Sequence, residues 1–342
     1  MMLVRCDASE QWGMGNLMRC RALAQALHDE GVEMAMVGPG MDMQQAGDSK
    51  LFHHWFPMPW QEHAVDNAKQ LLALSLELKA KVLVVDDPRA NEAFQQVVYA
   101  AQIPWLQFDG TATQPIWANW VLNALPHTKA SAYAEVVRNP SAQLLLGPQF
   151  AVLRKEFANA AQQQVHKNDG LRVLVTFGGG DDRGAIAWCL NALSPLLENN
   201  IQLCVISGLA NPRNAHNLSL VQAMPPGSVD YCIQPEEPWS LMAAADLAVM
   251  ASGTTVHEVN VFKLPTVLMS LVENQHKPGQ AWAEALGTTY LGDWAKISAH
   301  TLLTAVQALV HQLQAATVQV PSLVDGLGAS RVAKVLCAQS HR

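Results

Sequence analysis

No two cysteines in this chain form a CxxC pair. The six present, Cys6, Cys20, Cys189, Cys204, Cys232 and Cys337, lie mostly inside apolar segments, where a thiol behaves as a small hydrophobe. That usage suits a reducing cytoplasm. Basic residues are also scarce: 22 Lys and Arg stand against 29 Asp and Glu, for a net charge of −7 and a pI near 5.9. This argues against a nucleic-acid partner or an anionic membrane surface, both of which need a basic face, so any bound anion must be held locally by turns and single basic residues. No apolar run approaches the roughly 18 residues of a membrane span, and Asp7 and Glu10 interrupt the N-terminus before a signal region could form. A cytoplasmic protein without membrane insertion is expected. The later glycine turn, Gly178 to Asp181, carries no Lys-Ser/Thr, which argues against a P-loop ATPase or GTPase. Nor does G-x-G-x-x-G occur with an acid after the next strand, so a nicotinamide enzyme fits poorly. No His/Asp/Glu cluster has metal-ligand spacing, and no metal or cofactor is expected.

Two glycine-rich turns are what the chain does have. The first, Gly13-Met14-Gly15-Asn16-Leu17-Met18-Arg19, follows the apolar run Met2 to Cys6; the second, Phe177-Gly178-Gly179-Gly180-Asp181-Asp182, follows Leu171 to Thr176. Each opens into a helical pattern. A strand, a glycine turn and a helix N-terminus leave backbone N–H groups converging on one spot, which favours an anion such as a diphosphate. Glycine in such a turn is also explained by conformation alone.

At 342 residues the chain is long enough for about two domains, and half its residues are hydrophobic, so burial is not limiting. Short apolar strands recur between helical stretches: Met2 to Cys6, Met34 to Val37, Val82 to Asp86, Trp105 to Phe108 and Gln143 to Leu146, then Leu171 to Thr176, Leu203 to Ser207, Leu247 to Met250 and Thr266 to Ser270. Such runs predict parallel sheets buried on both faces. Leu17, Cys20, Leu23, Ala24 and Leu27 share a helix face, and Gly31 sits where a C-terminal cap belongs. The expected fold class is α/β, two Rossmann-like domains facing a cleft. Residues 1–155 form the N-terminal domain and 170–325 the second, after a polar stretch, with a helix in 326–342 crossing back onto the first.

In the second half, Asp246 to Glu258 reads as a strand, a small-residue turn and a helix. Ser252, Thr254 and Thr255 can supply hydroxyls, Gly253 lets backbone approach a phosphate, and Glu258 one turn into the helix can accept two hydrogen bonds from a ribose diol. A capped helix with a solvated Glu is the alternative. Glu273-Asn274-Gln275 follows a strand end, again where ligands bind in open α/β sheets.

Taken together, Arg5-Cys6-Asp7-Ala8-Ser9 with Gly13-x-Gly15 and Arg19, Leu146-Gly147-Pro148-Gln149-Phe150-Ala151-Val152-Leu153-Arg154, Phe177-Gly178-Gly179-Gly180-Asp181, Gly253-Thr254-Thr255-x-x-Glu258, Glu273-Asn274-Gln275 and Asp325-Gly326-x-Gly328-Ala329-x-Arg331-Val332 resemble the pseudaminic acid pathway hydrolases. These UDP-2,4-diacetamido-2,4,6-trideoxy-β-L-altropyranose hydrolases are relatives of the SpsG-like spore-coat polysaccharide proteins and have the GT-B fold also used by MurG. The motifs span nearly the whole chain in order. The resemblance implies UDP held near Gly179, Ser252, Gly253, Thr254, Glu258, Asn274 and Gln275, with the sugar reaching toward Gly13, Gly15 and Arg19. Water attacks the anomeric carbon, UDP leaves without help from a metal, and the free sugar proceeds toward a nonulosonic acid for polysaccharide or flagellin glycosylation.

The family's turn reads G-x-G-H-x-x-R, and its catalytic histidine is Asn16 here. The family's Asp-His-Tyr reads Asp86-Asp87-Pro88, and an aspartate pair reads Asp109-Gly110. A positioned base contributes about 10²- to 10⁴-fold in rate, roughly 3 to 5 kcal/mol, and an asparagine amide holds water without accepting its proton. Asp7 or Asp87 is the expected replacement base, with Asn16 orienting the water; inverting sugar hydrolases use a carboxylate for this task. Asp7 as a turn cap, Asp87 as a loop residue and Asp109-Gly110 as a turn are the structural alternatives. Arg19 either contacts the diphosphate or sugar or is solvated, His257 and Trp12 read more readily as structural, and His53-His54 carries no metal spacing. A UDP-sugar-binding homologue with weak turnover and a GT-B glycosyltransferase remain the alternative functions.

Overall fold

The computed structural model describes residues 1–7, 14–163 and 170–340. The chain divides into two compact units, Met1–Lys155 joined by the C-terminal segment from Gly326, and Glu156–Asp325. Gly13 and Trp12, with the Ala8-Ser9 part of the first motif, lie outside the described residues.

The first unit is built on seven parallel strands: β1 (Met2–Cys6), β2 (Met34–Gly38), β3 (His54–Pro57), β4 (Val82–Asp86), β5 (Trp105–Phe108), β6 (Trp120–Asn123) and β7 (Gln143–Leu146). Their order is β3-β2-β1-β4-β5-β6-β7. The chain therefore moves outward from β1 in one direction, returns, and leaves in the other. The reversal places a crevice at the carboxyl ends of β1 and β4. Period-two alternation divides the core: Met2, Val4, Cys6, Val82 and Val84 pack on one face, with Leu17, Leu23 and Leu27 of the Gly15–Asp29 helix. Leu3, Leu83 and Val85 pack on the other, with Leu71, Phe94 and Val98. Gly31 follows the Gly15–Asp29 helix with φ 77° and donates its N–H to His28 O at 2.9 Å, a left-handed cap.

The Gly328–Ser340 helix packs Val332, Ala333 and Leu336 into the first of these faces. Its start explains two of the sequence motifs at once. A Cβ on Gly328 would fall 2.2 Å from Ala151 O, and Arg331 donates to Gln149 O at 2.8 Å. The Gly147 to Arg154 motif and the Gly328 to Val332 motif thus meet each other in a backbone contact.

The second unit carries β8 (Leu171–Thr176), β9 (Ile201–Ser207), β10 (Val229–Ile233), β11 (Leu247–Ala251), β12 (Thr266–Ser270) and β13 (Thr289–Asp293), all parallel, in the order β10-β9-β8-β11-β12-β13. Here the reversal falls between β8 and β11. Val173, Val175, Val249 and Val267 pack against Ile186 and Leu190 of the Ala185–Leu193 helix and against Leu302 and Val306 of Ala299–Gln314.

Four strands lie outside the expected set. β3, β10 and β13 are outer strands whose residues are half-exposed or exposed, so no continuous apolar run marks them. β6 is buried but only four residues long and ends in Asn123. Among the described residues no helix is long and apolar enough to cross a membrane.

Candidate functional site

Each unit gathers sequence-singled residues at the carboxyl end of its sheet, beside the strand-order reversal. In the first unit Asp7 follows β1, Asn16 and Arg19 occupy the first turns of the next helix, and Asp87 follows β4; Met2 to Cys6 run in register with Val82 to Asp86. Gly15 begins the helix and is exposed.

Ion pairs dominate this cluster. Arg19 grips the Asp86 carboxylate with both Nε and Nη2, and its guanidinium lies 4.9 Å from the centre of the Phe108 ring. Burial pulls the Arg19 pKa down, but the charge and hydrogen bonds of Asp86 more than reverse this and leave it above the ordinary value. Asn16 donates through Nδ2 to Asp86 O at 3.4 Å, tying the helix to the end of β4. Asp87 accepts from Arg89 Nε and Nη2 at 2.9 and 2.8 Å and from Arg89 N at 3.0 Å, with Arg5 Nη2 at 3.6 Å. Arg5 is buried, donates to Met58 O at 2.6 Å, and its Nε has no partner among the described residues. Its pKa is lowered, chiefly by that burial and partly offset by Asp87.

Two of the expected site residues are engaged in ion pairs. Asp87, one of the two expected bases, has a side chain with 0% exposure and is held by two guanidiniums. Both of its oxygens are engaged by the Arg89 guanidinium. Arg19, expected at a diphosphate or sugar, spends its planar fork on Asp86. Asp109 takes the turn alternative: its carboxylate accepts Thr111 N, Ala112 N and the Tyr133 hydroxyl at 3.2, 2.8 and 2.7 Å. Burial, with the Asp109 charge, pushes the Tyr133 phenol well up. Asp7 keeps 18% of its side chain exposed, where Asp86 keeps 2% and Asp87 none, and it meets Arg89 Nη2 at 2.9 Å through Oδ2.

In the second unit, β8 and β11 are neighbours with Thr176 opposite Met250, so both glycine turns leave the sheet at the same end. The Gly178 to Gly180 turn packs closely on β9's exit: a Cβ on Gly208 would fall 1.9 Å from Gly179 O. Gly179 itself is exposed. The helix after this turn is already capped, because Asp182 accepts Gly184 N through Oδ1 and Ile186 N through Oδ2, both at 3.0 Å. A carboxylate of the protein thus fills the place where an anion would sit.

The Thr255–Val261 helix differs. Its N-cap residue Thr254 makes no capping hydrogen bond, and Val256 and His257 turn their N–H groups back to the Gly253 and Thr254 carbonyls at 3.3 and 3.1 Å. The N–H groups of Thr254 and Thr255 donate to no partner among the described residues. Thr254 is exposed, and Gly253 has only Gln275 Nε2 near its missing Cβ, at 3.6 Å. Glu258 is half-buried one turn further on.

Ser252, expected to offer its hydroxyl to a ligand, is buried and turned inward. Its Oγ lies 3.0 Å from Gln275 O, 3.1 Å from Met269 O and 3.3 Å from Ser270 Oγ. It ties the Gly253 turn to the Glu273–Gln275 turn. Gln275 accepts Leu271 N at 2.9 Å through Oε1, which leaves Nε2 beside Gly253, and Asn274 is exposed at the same turn. His257 is buried, edge-on to Trp282 with ring centroids 5.0 Å apart, and packs rather than reacts.

Sequence reasoning did not single out Arg89, Trp60, His276, Tyr290 or Ser270. The last three continue the Ser252 network, with Ser270 Oγ 2.7 Å from Tyr290 OH and Tyr290 OH 2.6 Å from His276 Nδ1. Gly279 admits them, since a Cβ there would fall 2.6 Å from the Tyr290 ring and 2.8 Å from Ser252 Oγ. No local motif marks contacts between such separated positions.

No protein-family model matches the chain. The chain is similar to the spore coat polysaccharide biosynthesis protein SpsG of Bacillus subtilis, 22% identical over 340 residues, 96% of each chain. Among solved structures it is similar to MurG of Acinetobacter baumannii, with a TM-score of 0.69, 14% identity and coverage of 98% of this chain and 99% of that one. It is also similar to a UDP-GlcNAc 2-epimerase of Neisseria meningitidis bound to UDP-GlcNAc, with a TM-score of 0.67, 11% identity and coverage of 99% and 100%. With the two parallel sheets, these likenesses establish the fold class: two Rossmann-like α/β domains of the GT-B type.

Proposed function

We propose that the protein is an enzyme acting on a UDP-sugar, and specifically a hydrolase that releases UDP from a UDP-diacetamido-trideoxyhexose on the way to a nonulosonic acid. The observation that carries the reading is the contrast between two helix starts in the second unit. Asp182 fills the one after Gly178 to Gly180, whereas the one after Gly253 keeps Thr254 and Thr255 N–H groups for an anion. Gly253 gives a diphosphate room, Gln275 Nε2 stands beside it as a further donor, and Glu258 lies one helical turn on as the acceptor proposed for a ribose diol. The solved UDP-GlcNAc complex of a protein of the same fold supports a uridine nucleotide as the ligand.

In this reading Asn16 orients the attacking water and Asp7 takes its proton. As the water oxygen bonds to the anomeric carbon, the anomeric C–O bond breaks and its electron pair leaves on the β-phosphate of UDP. Asp7 carries this role in preference to Asp87 because it alone of the two keeps exposed surface.

Two measurements test the proposal. Calorimetry with UDP should register binding, which Gly253→Val weakens by at least about ten-fold. Incubation with UDP-2,4-diacetamido-2,4,6-trideoxy-β-L-altropyranose should release UDP without an acceptor. Release only with an acceptor would replace hydrolysis by transfer. Binding without release would favour the second reading, a weakly active UDP-sugar-binding homologue, which the amide at Asn16 supports. Absence of UDP binding would overturn all three.

A further inference from the structure

We propose that Arg89 is the positioning residue of this enzyme, holding Asp7 in place for proton transfer through an ion-pair bridge anchored on Asp87. The inference rests on the reading that Asp7 is the proton acceptor in UDP-sugar cleavage, and extends it to a residue that no sequence motif marks.

The argument begins with a pairing inventory at the carboxyl ends of β1 and β4. Three carboxylates, Asp7, Asp86 and Asp87, meet three guanidiniums, Arg5, Arg19 and Arg89. Asp86 is committed to Arg19, and Asp87 to Arg5 and Arg89. Asp7 touches Arg89 through Oδ2 at 2.9 Å, and its Oδ1 takes no partner among the described residues. Arg89 thus fixes one oxygen of the carboxylate that the functional reading makes the proton acceptor.

Arg89 is itself held on several sides. Nε meets Asp87 Oδ1 at 2.9 Å, Nη2 bridges Asp87 Oδ2 at 2.8 Å and Asp7 Oδ2 at 2.9 Å, and the guanidinium lies 4.7 Å from the Trp60 ring centre. Trp60 is stacked on buried Phe94 at 5.7 Å, and the Arg5 guanidinium lies 5.3 Å from the same ring. Asp87 also accepts Arg89 N at 3.0 Å, a tight turn whose middle residue, Pro88, has a restricted φ. A planar fork fixed in this way loses little further freedom when it holds a third group, which a flexible lysine ammonium does not reproduce. Asp87 thereby gains a purpose that its burial denied it as a base: it aims Arg89.

The experiment measures kcat and KM for UDP release from UDP-2,4-diacetamido-2,4,6-trideoxy-β-L-altropyranose, and UDP affinity by calorimetry. It compares wild type, Asp7→Asn, Arg89→Ala, Arg89→Lys and the double variant Asp7→Asn/Arg89→Ala. Displacing a reacting group by a fraction of an ångström to an ångström costs up to about 100-fold. Arg89→Ala should lower kcat by about 10- to 100-fold with KM and UDP affinity within two-fold of wild type, and Arg89→Lys should recover part of that loss. In the Asp7→Asn background, Arg89→Ala should cost nothing further. Equal rates for Arg89→Ala and wild type, or losses that multiply in the double variant, would overturn the inference while leaving the functional reading intact. If Arg89→Ala melts early, Arg89→Lys decides, since a lysine with wild-type kcat and melting overturns it too. A wild-type protein that binds UDP but releases none removes the functional reading and this inference together.

Discussion

Asp182 accepts the backbone N–H of Ile186 at 3.0 Å, and its other oxygen accepts that of Gly184. This cap sets the Gly178 to Gly180 turn apart from the turn at Gly253, the one proposed to hold the nucleotide. Losing such a cap typically costs about 1 kcal/mol. Asp182→Ala should therefore lower the melting temperature by about 2 to 4 °C while leaving UDP affinity within two-fold. Differential scanning calorimetry and titration calorimetry read the two effects separately. A ten-fold change in UDP affinity would move the nucleotide to the Gly178 to Gly180 turn.

Three glycines of the second unit give a complementary contrast. A Cβ at Gly253 would meet only the far end of Gln275 at 3.6 Å, an ordinary contact, whereas one at Gly208 would fall 1.9 Å from Gly179 O. Gly279 is intermediate, closed by the Tyr290 ring at 2.6 Å. Gly253→Val should thus fold with near-native melting and lose UDP affinity by at least about ten-fold, because the added bulk sits where a phosphate needs backbone access. Gly208→Ala should lose stability whether or not UDP is present. If Gly253→Val binds UDP normally, the anion does not contact the Thr254 and Thr255 N–H groups.

Much of the fold is legible in the amino-acid sequence. Buried central strands such as β1, β4, β8 and β11 announce themselves as apolar runs because both faces are covered, and the helix after Gly15 shows its buried stripe. Outer strands such as β10 and β13 do not, since their half-exposed positions admit Asp230, Thr289 and Asp293. Residue types at the site were equally visible, and their pairings were not. Nothing in Asp86-Asp87-Pro88-Arg89 says that Asp86 reaches Arg19 across 67 positions while Asp87 turns back to Arg89 two residues on. Ser252 illustrates the same limit: a hydroxyl after a strand reads as a donor for a ligand, and only its distance to Gln275 O shows that it serves the loop.

The cysteines give a prediction of reactivity. Burial pushes the Cys204 thiol up to about 12, with the neighbouring Cys232 adding to the shift, and burial raises Cys189 and Cys20 well above the ordinary value. Cys232 and Cys337 are half-buried, and their thiols are raised for the same first cause. The thiolate is the nucleophile, so near pH 8 iodoacetamide should label native protein slowly, at Cys337 and Cys232 before Cys20, Cys189 or Cys204. Labelling should accelerate as pH rises, because a higher pH populates the thiolate, and denaturant should equalise the sites. Peptide mapping after timed alkylation checks the order; early modification of Cys204 would contradict its burial.

Arg19 supplies the test that separates a structural ion pair from a ligand contact. Asp86 is buried at the end of β4, and both of its oxygens face the Arg19 fork. Arg19→Met removes the cation and leaves that carboxylate without its partner, a change that costs about 3 kcal/mol when the surviving charge is buried. The double variant Arg19→Met/Asp86→Leu removes both charges and should recover most of that loss, since a buried pair can be replaced by apolar groups at little cost. Urea denaturation followed by circular dichroism measures both. UDP affinity should be unchanged in the folded double variant, because the proposed nucleotide donors belong to the second unit. A drop in UDP affinity of ten-fold or more, with stability restored, would return Arg19 to the role of a diphosphate ligand.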